Sequence, residues 1–353
     1  MKQNIIDFLL LNADFSIKLR IKKEILKNIS QKEEEEYFEK ILIQKNVQDV
    51  ITSQKPDGWF GNNFHGQSPK FGAGMYNNME VGLRFLVEKG FSSENVYISK
   101  AINSFLINKP FDKILYGIKE PENPEMDYKY TASGLYLPRS SIIIRAGYEN
   151  ILQKNDFINL KHDINFSLKT FLNVLNYKSL KDVIDTNRKK LCFKPDILWP
   201  CMYHLRMLAH SKGWRNNKNI NLLAESLNHL FNFHHSKEMV YTYIKGQFVG
   251  PCFAFINMQM HILEILEKNG INLDTLELFA RCGAIKKVEL LKKQYKYLIS
   301  LVKDNLKINL SKKPDKGWSP YFGFSLEEDW KNNIKYQCDI LFRILLIIHY
   351  TNE

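Results

Sequence analysis

Two histidines stand at the same offset from a glycine followed by a large apolar residue: His204 before Gly213-Trp214 and His261 before Gly270-Ile271. On equivalent helices the two imidazoles would occupy corresponding places, where they could form an acid/base pair near neutral pH. They could equally bind a metal with Cys201 or Asp339, or be core histidines whose ring nitrogens are simply hydrogen-bonded. Other polar residues interrupt apolar runs, among them Glu80, Arg84, Arg139, Tyr203, Arg206, Tyr336, Asp339 and Arg343. Ionised groups do not lie unpaired in a dry core. They must pair, as Glu80 and Arg84 can four residues apart on one helix, or line a wet cavity. Asp127 and Asp196 are the loop carboxylates placed to act as acids or bases. The catalytic candidates are therefore His204, His261, Asp127, Asp196 and Asp339. The ligand-contact candidates are His65, Tyr76, Glu80, Arg139, Trp199, Tyr203 and Tyr336.

The elements that must carry these residues read as helices throughout. Helix stops are expected at residues 28, 90, 147, 213 and 270, four of them Gly followed by a large apolar residue, the pattern of a left-handed cap with its apolar contact. The stops recur roughly every 60 residues, longer than the ~33–47 of common two-helix solenoids. Ser30-Gln-Lys-Glu33 reads as a capping box opening a helix to about Ser53. Asp274-Thr-Leu-Glu277 reads as the cap of a helix to about Leu310, and Ser325-Leu-Glu-Glu328 as the cap of the apolar run Ile334–Tyr350. A helix across roughly 150–178 leads to a charge-rich stretch before Phe193 that reads as a loop, as do residues 234–251. Pairing each stop-bearing apolar helix with a more polar one gives about six inner and about six outer helices, the count of a closed (α/α)6 toroid, all-α, in one domain over residues 1–353. A HEAT-like open solenoid is the alternative. In the ring the long aromatic loops, with His65, Tyr76 and Trp199, gather at the end where the inner helices begin, and helix N-termini favour anions.

An apolar share of 44% supports a large packed core, and the net charge of +12, mostly Lys, suits either a solvated surface or a face for an anionic ligand. No Arg-rich helix or compact basic block appears, so nucleic acid is not an expected partner. The cysteines are five, dispersed and never in a CxxC pair, as in a reducing compartment. No apolar run approaches the ~18 residues of a membrane span, and the N-terminal run is short for a signal peptide. A cytoplasmic protein with at most peripheral membrane contact is expected.

Gln54-Lys-Pro-Asp-Gly-Trp59 and Lys313-Pro-Asp-Lys-Gly-Trp318 resemble the Gln-Trp repeat loops of squalene-cyclase-like proteins. With the alternating helices, the chain resembles the α/α-toroid group of terpenoid cyclases and protein prenyltransferase β-subunits. Asn12-Ala-Asp-Phe-Ser-Ile-Lys-Leu-Arg20 is similar to the start of bacterial proteins with prenyltransferase/squalene-oxidase repeats. The resemblance implies a central cavity for an apolar or isoprenoid-type ligand, and Trp59 and Trp318 as clamps between helices. The group's Asp-x-Asp-Asp and Asp-Asp-x-x-Asp motifs are absent, and its zinc trio has no match in spacing. Glu327-Glu-Asp329 is the nearest acidic cluster, and it reads as a helix cap.

The expected function is ligand binding in that cavity, with cyclisation or transfer carried by His, Asp and aromatic residues. No cofactor is assigned, zinc and magnesium being the metals such residues would suit. The alternatives are a non-catalytic toroid serving as a binding or scaffold protein, and a carbohydrate-active α/α barrel with paired carboxylates.

Overall fold

The structure, a computed structural model, describes residues 1–61, 78–107, 136–147, 160–195, 197–233, 240–244, 246–249, 255, 271–302, 305–308 and 326–353. These residues are mostly helical, as the sequence leads one to expect. They fall into two compact units interleaved along the chain. The first comprises Met1–Pro110, Glu264–Arg281 and Lys293–Glu353, and the second Phe111–Leu263 and Cys282–Lys292. No helix of the described residues is long and apolar enough to cross a membrane.

The first unit opens with α1 (Lys2–Asn12) and α2 (Phe15–Arg20), which continues as a π-helical turn over Ile21–Leu26. The left-handed residue that ends this run is Lys27, at φ 54°, one position before the expected Asn28. Ser30 caps α3 (Gln31–Leu42) by accepting the Glu33 amide at 3.2 Å. The helix expected to run on to Ser53 breaks at Ile43-Gln44, and α4 (Lys45–Ile51) follows. Gln44 is spent elsewhere, since its side chain accepts from Lys89 Nζ at 2.8 Å.

Residues 54–60 then form a tight turn. Lys55 N–H donates to Trp59 O at 2.8 Å and Gly58 N–H to Lys55 O at 2.9 Å. Gly58 sits at φ 93°, and a Cβ there would stand 2.4 Å from Lys100 O, so only glycine fits. Gln54 Nε2 donates to Gly58 O at 3.0 Å and to Tyr97 O at 2.8 Å, tying the turn to α6 (Val96–Ile107).

Between them lies α5 (Met79–Glu88), capped by Asn78, whose side chain accepts the Val81 amide at 2.9 Å. It ends as expected at Gly90, φ 105°, with Phe91 N–H reaching back to Leu86 O at 3.1 Å. The first unit closes with α12 (Ile271–Arg281) and α14 (Asn333–Asn352), which pack on each other, while α1 packs on α14. Asp274 and Glu277 lie inside α12 rather than before its first turn. The chain turns at Gly283, φ 71°, and α13 (Glu289–Ser300) is a separate helix well short of Leu310. The cap of α14 is Asn332, accepting the Ile334 amide at 2.9 Å, so the expected Ser325–Glu328 box is not its start.

At the middle of the first unit six side chains close a ring of alternating charge. Arg20 donates to Glu24 at 2.6 Å and to Glu88 at 2.7 Å. Arg343 reaches Glu88 at 3.1 Å and Glu277 at 3.0 Å, and Arg281 reaches Glu277 at 2.8 Å and Glu24 at 3.1 Å. Three guanidiniums meet three carboxylates, each ion touching two of the opposite sign, which is how such charges tolerate burial. The ring joins α2, the π-turn, α5, α12 and α14.

The second unit holds α7 (Tyr136–Arg145), α8 (Leu160–Asn173), the short α9 (Leu180–Val183), α10 (Met202–His210) and α11 (Asn217–Phe231). The end of α7 is followed by Gly147 at φ 93°, as expected. The expected glycine stop at 213 does not end α10. Ser211 is already extended, and the last carbonyls are taken by Trp214 Nε1 (Leu208 O, 2.9 Å) and Arg215 (Ala209 O, 2.7 Å). Two small antiparallel hairpins interrupt the helices where loops were expected. β1 (Ile184–Asp185) pairs with β2 (Cys192–Phe193), and β3 (Thr242–Ile244) with β4 (Gln247–Val249). Arg188 stacks on Tyr243 at 4.0 Å and Lys190 on Tyr241 at 4.5 Å, so cation–π contacts fasten one hairpin to the other.

Burial separates the helices into two kinds. α5 from Met79 to Val87, α10 from Met202 to Ala209 and α14 from Cys338 to His349 are buried on every side. α3 buries only Ile41, and α11 buries one face, Leu223, Leu227, Leu230 and Phe231. α5, which ends at the expected Gly90, is enclosed as its apolar sequence requires, and α12, which carries no expected stop, is enclosed as well from Thr275 to Arg281.

Candidate functional site

Two groups of side chains in the described residues carry the expected chemistry, one in each unit. In the first unit Asp339 projects from α14 with zero exposure and accepts three hydrogen bonds. They come from Leu326 N (2.8 Å), Glu327 N (3.1 Å) and Trp330 Nε1 (2.6 Å). Burial raises its carboxyl to about 6, against the pull of those three donors. Asp339 therefore shapes the 326–330 turn over the start of α14. Tyr336 stands one turn earlier and packs edge-on against Trp330 at 5.1 Å, its phenol pushed up to about 12 by burial.

Beside Asp339 lies a carboxyl pair that sequence reasoning missed. Glu327, fully buried, accepts the Asp14 amide at 2.9 Å, and Asp14 accepts the Glu328 amide at 3.4 Å. The two carboxyl groups thus each accept an amide from the other's turn and lie beside the same lysine. Lys335 on α14 binds Asp14 and stands 3.4 Å from Glu327. Burial, then the contact with Asp14, raises Glu327 to about 9. Burial would raise Asp14 too, but its bonds to Glu327 and Lys335 prevail and hold it below the usual carboxylate range. Lys89, at the end of α5, is buried with Nζ on Gln44 and on Leu326 O (2.6 Å), and burial lowers it to about 8. Glu327 is thus no helix cap. The only hint in sequence was a carboxylate next to an apolar run.

In the second unit the imidazole of His204 has zero exposure on the first turn of α10. Its Nδ1 accepts the Cys201 amide at 3.0 Å and lies 3.1 Å from Cys201 Sγ. Accepting through Nδ1 leaves the ring proton on Nε2. Burial depresses the imidazole to about 3 and raises the Cys201 thiol to about 11, so both are neutral at pH 7. A neutral thiol is no nucleophile, and an imidazole this hard to protonate is a poor base at pH 7. Phe166 lies against the ring at 5.9 Å. On α7, Arg139 is buried, and the neighbouring Ser140 donates to buried Asp163 of α8 at 2.6 Å.

Trp199, buried just before α10, is the hub of an aromatic cluster. Phe233 meets it edge-on at 5.5 Å, Tyr177 and Phe193 tilt against it at 6.1 Å, and its Nε1 donates to Phe255 O at 3.2 Å. Tyr203 is buried one residue before His204, with Arg206 over its ring at 5.4 Å. Glu80 and Arg84 are both buried on α5 in the first unit. His65, Tyr76, Asp127, Asp196 and His261, together with Trp318, lie outside the described residues.

Among the described residues no group of three or more His, Cys, Asp or Glu could hold a metal ion. A surface cleft of about 570 Å³ on the first unit is lined by Glu34, Glu35, Glu39 and Glu94 beside Phe38 and Gly90, an acidic lining unlike an isoprenoid pocket. No family model, curated protein or solved structure matches the chain.

Proposed function

We propose that the chain closes into a toroid of inner and outer helices, resembling terpenoid cyclases and protein prenyltransferase β-subunits, and that it binds an apolar, isoprenoid-type ligand within that ring. The observation that carries the reading is the split between enclosed helices (α5, α10, α14) and one-faced helices (α3, α11). The turn at 54–60 supports it, because Gln54 clamps that turn to α6 as a Gln-Trp loop would clamp helices.

The described chemistry favours binding over catalysis. His204 is buried and neutral, and Asp339 is occupied by three donors. A cyclase or transferase is the second reading, and it would rest on His261, Asp127 and Asp196. A carbohydrate-active barrel needs two carboxyls facing a bond across a cleft, roughly 5 to 10 Å apart. Asp14 and Glu327 instead accept amides from each other's turns, and Glu327 has no exposure. The protein is taken to act in the cytoplasm, without nucleic acid.

Native mass spectrometry of the purified chain, followed by tryptophan fluorescence titration with farnesol and with farnesyl diphosphate, tests the reading. The expected result is a co-purified lipid or a saturable one-to-one complex with either probe. Absence of both would leave a scaffold. Turnover of the diphosphate would favour the transferase.

A further inference from the structure

In the first unit three carboxyl groups, Asp14, Glu327 and Asp339, meet two ammonium groups, Lys335 and Lys89. Arg343, the next cation along α14, is committed to Glu88 and Glu277, and Glu328 faces outward onto the Asn46 amide at 3.3 Å. The neighbouring Cys338 is a neutral thiol, raised to about 12 by burial. Were all three acids ionised, one negative charge would be left over among buried groups. An uncompensated buried charge is costly, and adjacent carboxyls relieve it by keeping a proton.

Geometry decides which acid keeps it. Asp339 has three donors and is satisfied as an anion. Asp14 lies directly against Lys335 and takes the Glu328 amide. Glu327 has no exposure, takes the Asp14 amide, and stands 3.4 Å from the Lys335 ammonium that Asp14 binds directly, so it is the acid that keeps the proton. The contacts are also reciprocal. The Asp14 amide binds the Glu327 side chain, and the Glu328 amide binds the Asp14 side chain, so the break between α1 and α2 and the 326–330 turn are fastened through this pair.

We propose that the Asp14–Glu327 pair holds one proton, on Glu327, and works as a latch that closes the 326–330 turn onto the α1–α2 break while the proton is bound and opens when the proton is lost to solvent. Loss of the proton sets two carboxylates side by side with one Lys335 between them, and their repulsion opens both reciprocal amide bonds. The latch is a pH-sensitive joint between the two ends of the chain, and it does not depend on any ligand.

Hydrogen exchange of the Asp14 and Glu328 amides, corrected for intrinsic base catalysis, reads the latch in the full chain. With one proton lost per opening, protection should fall roughly tenfold per pH unit from the ordinary glutamate range up to the pH at which the closed pair itself loses its proton, and level off above it. Glu327→Gln keeps an N–H donor for Asp14 and an oxygen for the Asp14 amide, so its protection should not fall. Equal pH dependence in wild type and variant would overturn the proposal. The carboxyl ¹³C shift of Glu327 in the wild-type protein decides the matter even if the variant does not fold. Titration well above the ordinary glutamate range supports the latch, and titration in that range overturns it.

Discussion

At the scale of single residues, His204 shows how position decides chemistry. The same imidazole on a wet surface would titrate near neutrality, but here it is buried with its Nδ1 committed to the Cys201 amide, and its pKa is about 3. The depressed pKa makes stability depend on acid. Between pH 6.5 and 3 the unfolded chain binds a proton that the folded chain refuses, so stability contributed by the neutral ring is present above 6.5 and lost as pH falls. His204→Asn keeps an acceptor for the Cys201 amide and removes the titration. From pH 7 to pH 5 the wild type should lose roughly 2 kcal/mol more than the variant, read from urea midpoints. Equal losses would mean the ring is reached by protons in the folded state. The companion inference from spacing, that His204 and His261 form a pair, involves a residue outside the described ones. His204 itself was legible as a polar residue on an enclosed helix, whereas its partner Cys201 was considered only as a metal ligand. Nothing in the spacing said that the Cys201 amide would claim the ring.

Element by element, the helix ends carry most of the information that local sequence holds. Gly90 is needed twice, once for φ 105° and once because a Cβ there would stand 2.7 Å from Leu19 Cδ2. Gly283, at φ 71°, has its nearest neighbour, Ile220, at an ordinary 3.5 Å. Gly283→Ala should therefore cost only the left-handed penalty of about 1–2 kcal/mol, and Gly90→Ala should cost clearly more, as seen in denaturant midpoints. Equal costs would show that Leu19 moves aside. A different kind of dependence joins the elements through the charge ring. Arg343→Met strips a cation from both Glu88 and Glu277 and should destabilise the protein by about 3–5 kcal/mol. Adding Glu277→Gln restores part of the balance, so the two changes should be strongly non-additive in a double-mutant cycle. Additive losses would mean the ring is no network. Arg343 stood out in sequence as a charge in an apolar run, but its partners are far off along the chain, Glu88 on α5 and Glu277 on α12.

For the whole molecule, the buried ionisable groups should shape a common pH profile. Glu327 is raised from an ordinary 4.5 to about 9, so the folded state binds the extra proton across that range. Its contribution is full below 4.5 and is lost as pH rises to 9, at roughly 1.4 kcal/mol per pH unit. His204 works in the opposite direction below 6.5, and Lys89, lowered to about 8, works against Glu327 between 8 and 10.5. Stability should thus peak on the acid side of neutrality and decline from pH 6.5 to 8. Glu327→Gln should remove most of that decline in thermal or urea unfolding. A wild-type profile that rises over the same interval would contradict the assignment.

What the sequence determined by itself is what short-range physics determines. The apolar run Ile334–Tyr350 had to be an enclosed helix, Gly90 and Gly147 had to end theirs, and Ser30 had to begin one, because each depends on residues within about two helical turns. Local rules failed where a side chain, near or far along the chain, competed for the same groups. Gly213 does not stop α10, because Trp214 and Arg215 fold back onto its carbonyls. Asp274 and Glu277 look like a cap, but Glu277 is held by Arg281 and Arg343 inside α12. Only the tertiary structure decided which charges are neutralised, because Arg20, Glu88, Glu277 and Arg343 meet across hundreds of residues of chain. It alone also turned Asp14 and Glu327, a helix break and an apparent cap at opposite ends of the sequence, into one carboxyl pair. Periodicity places a side chain on a face of its own helix, while its ionisation state is set by whatever the fold brings against that face.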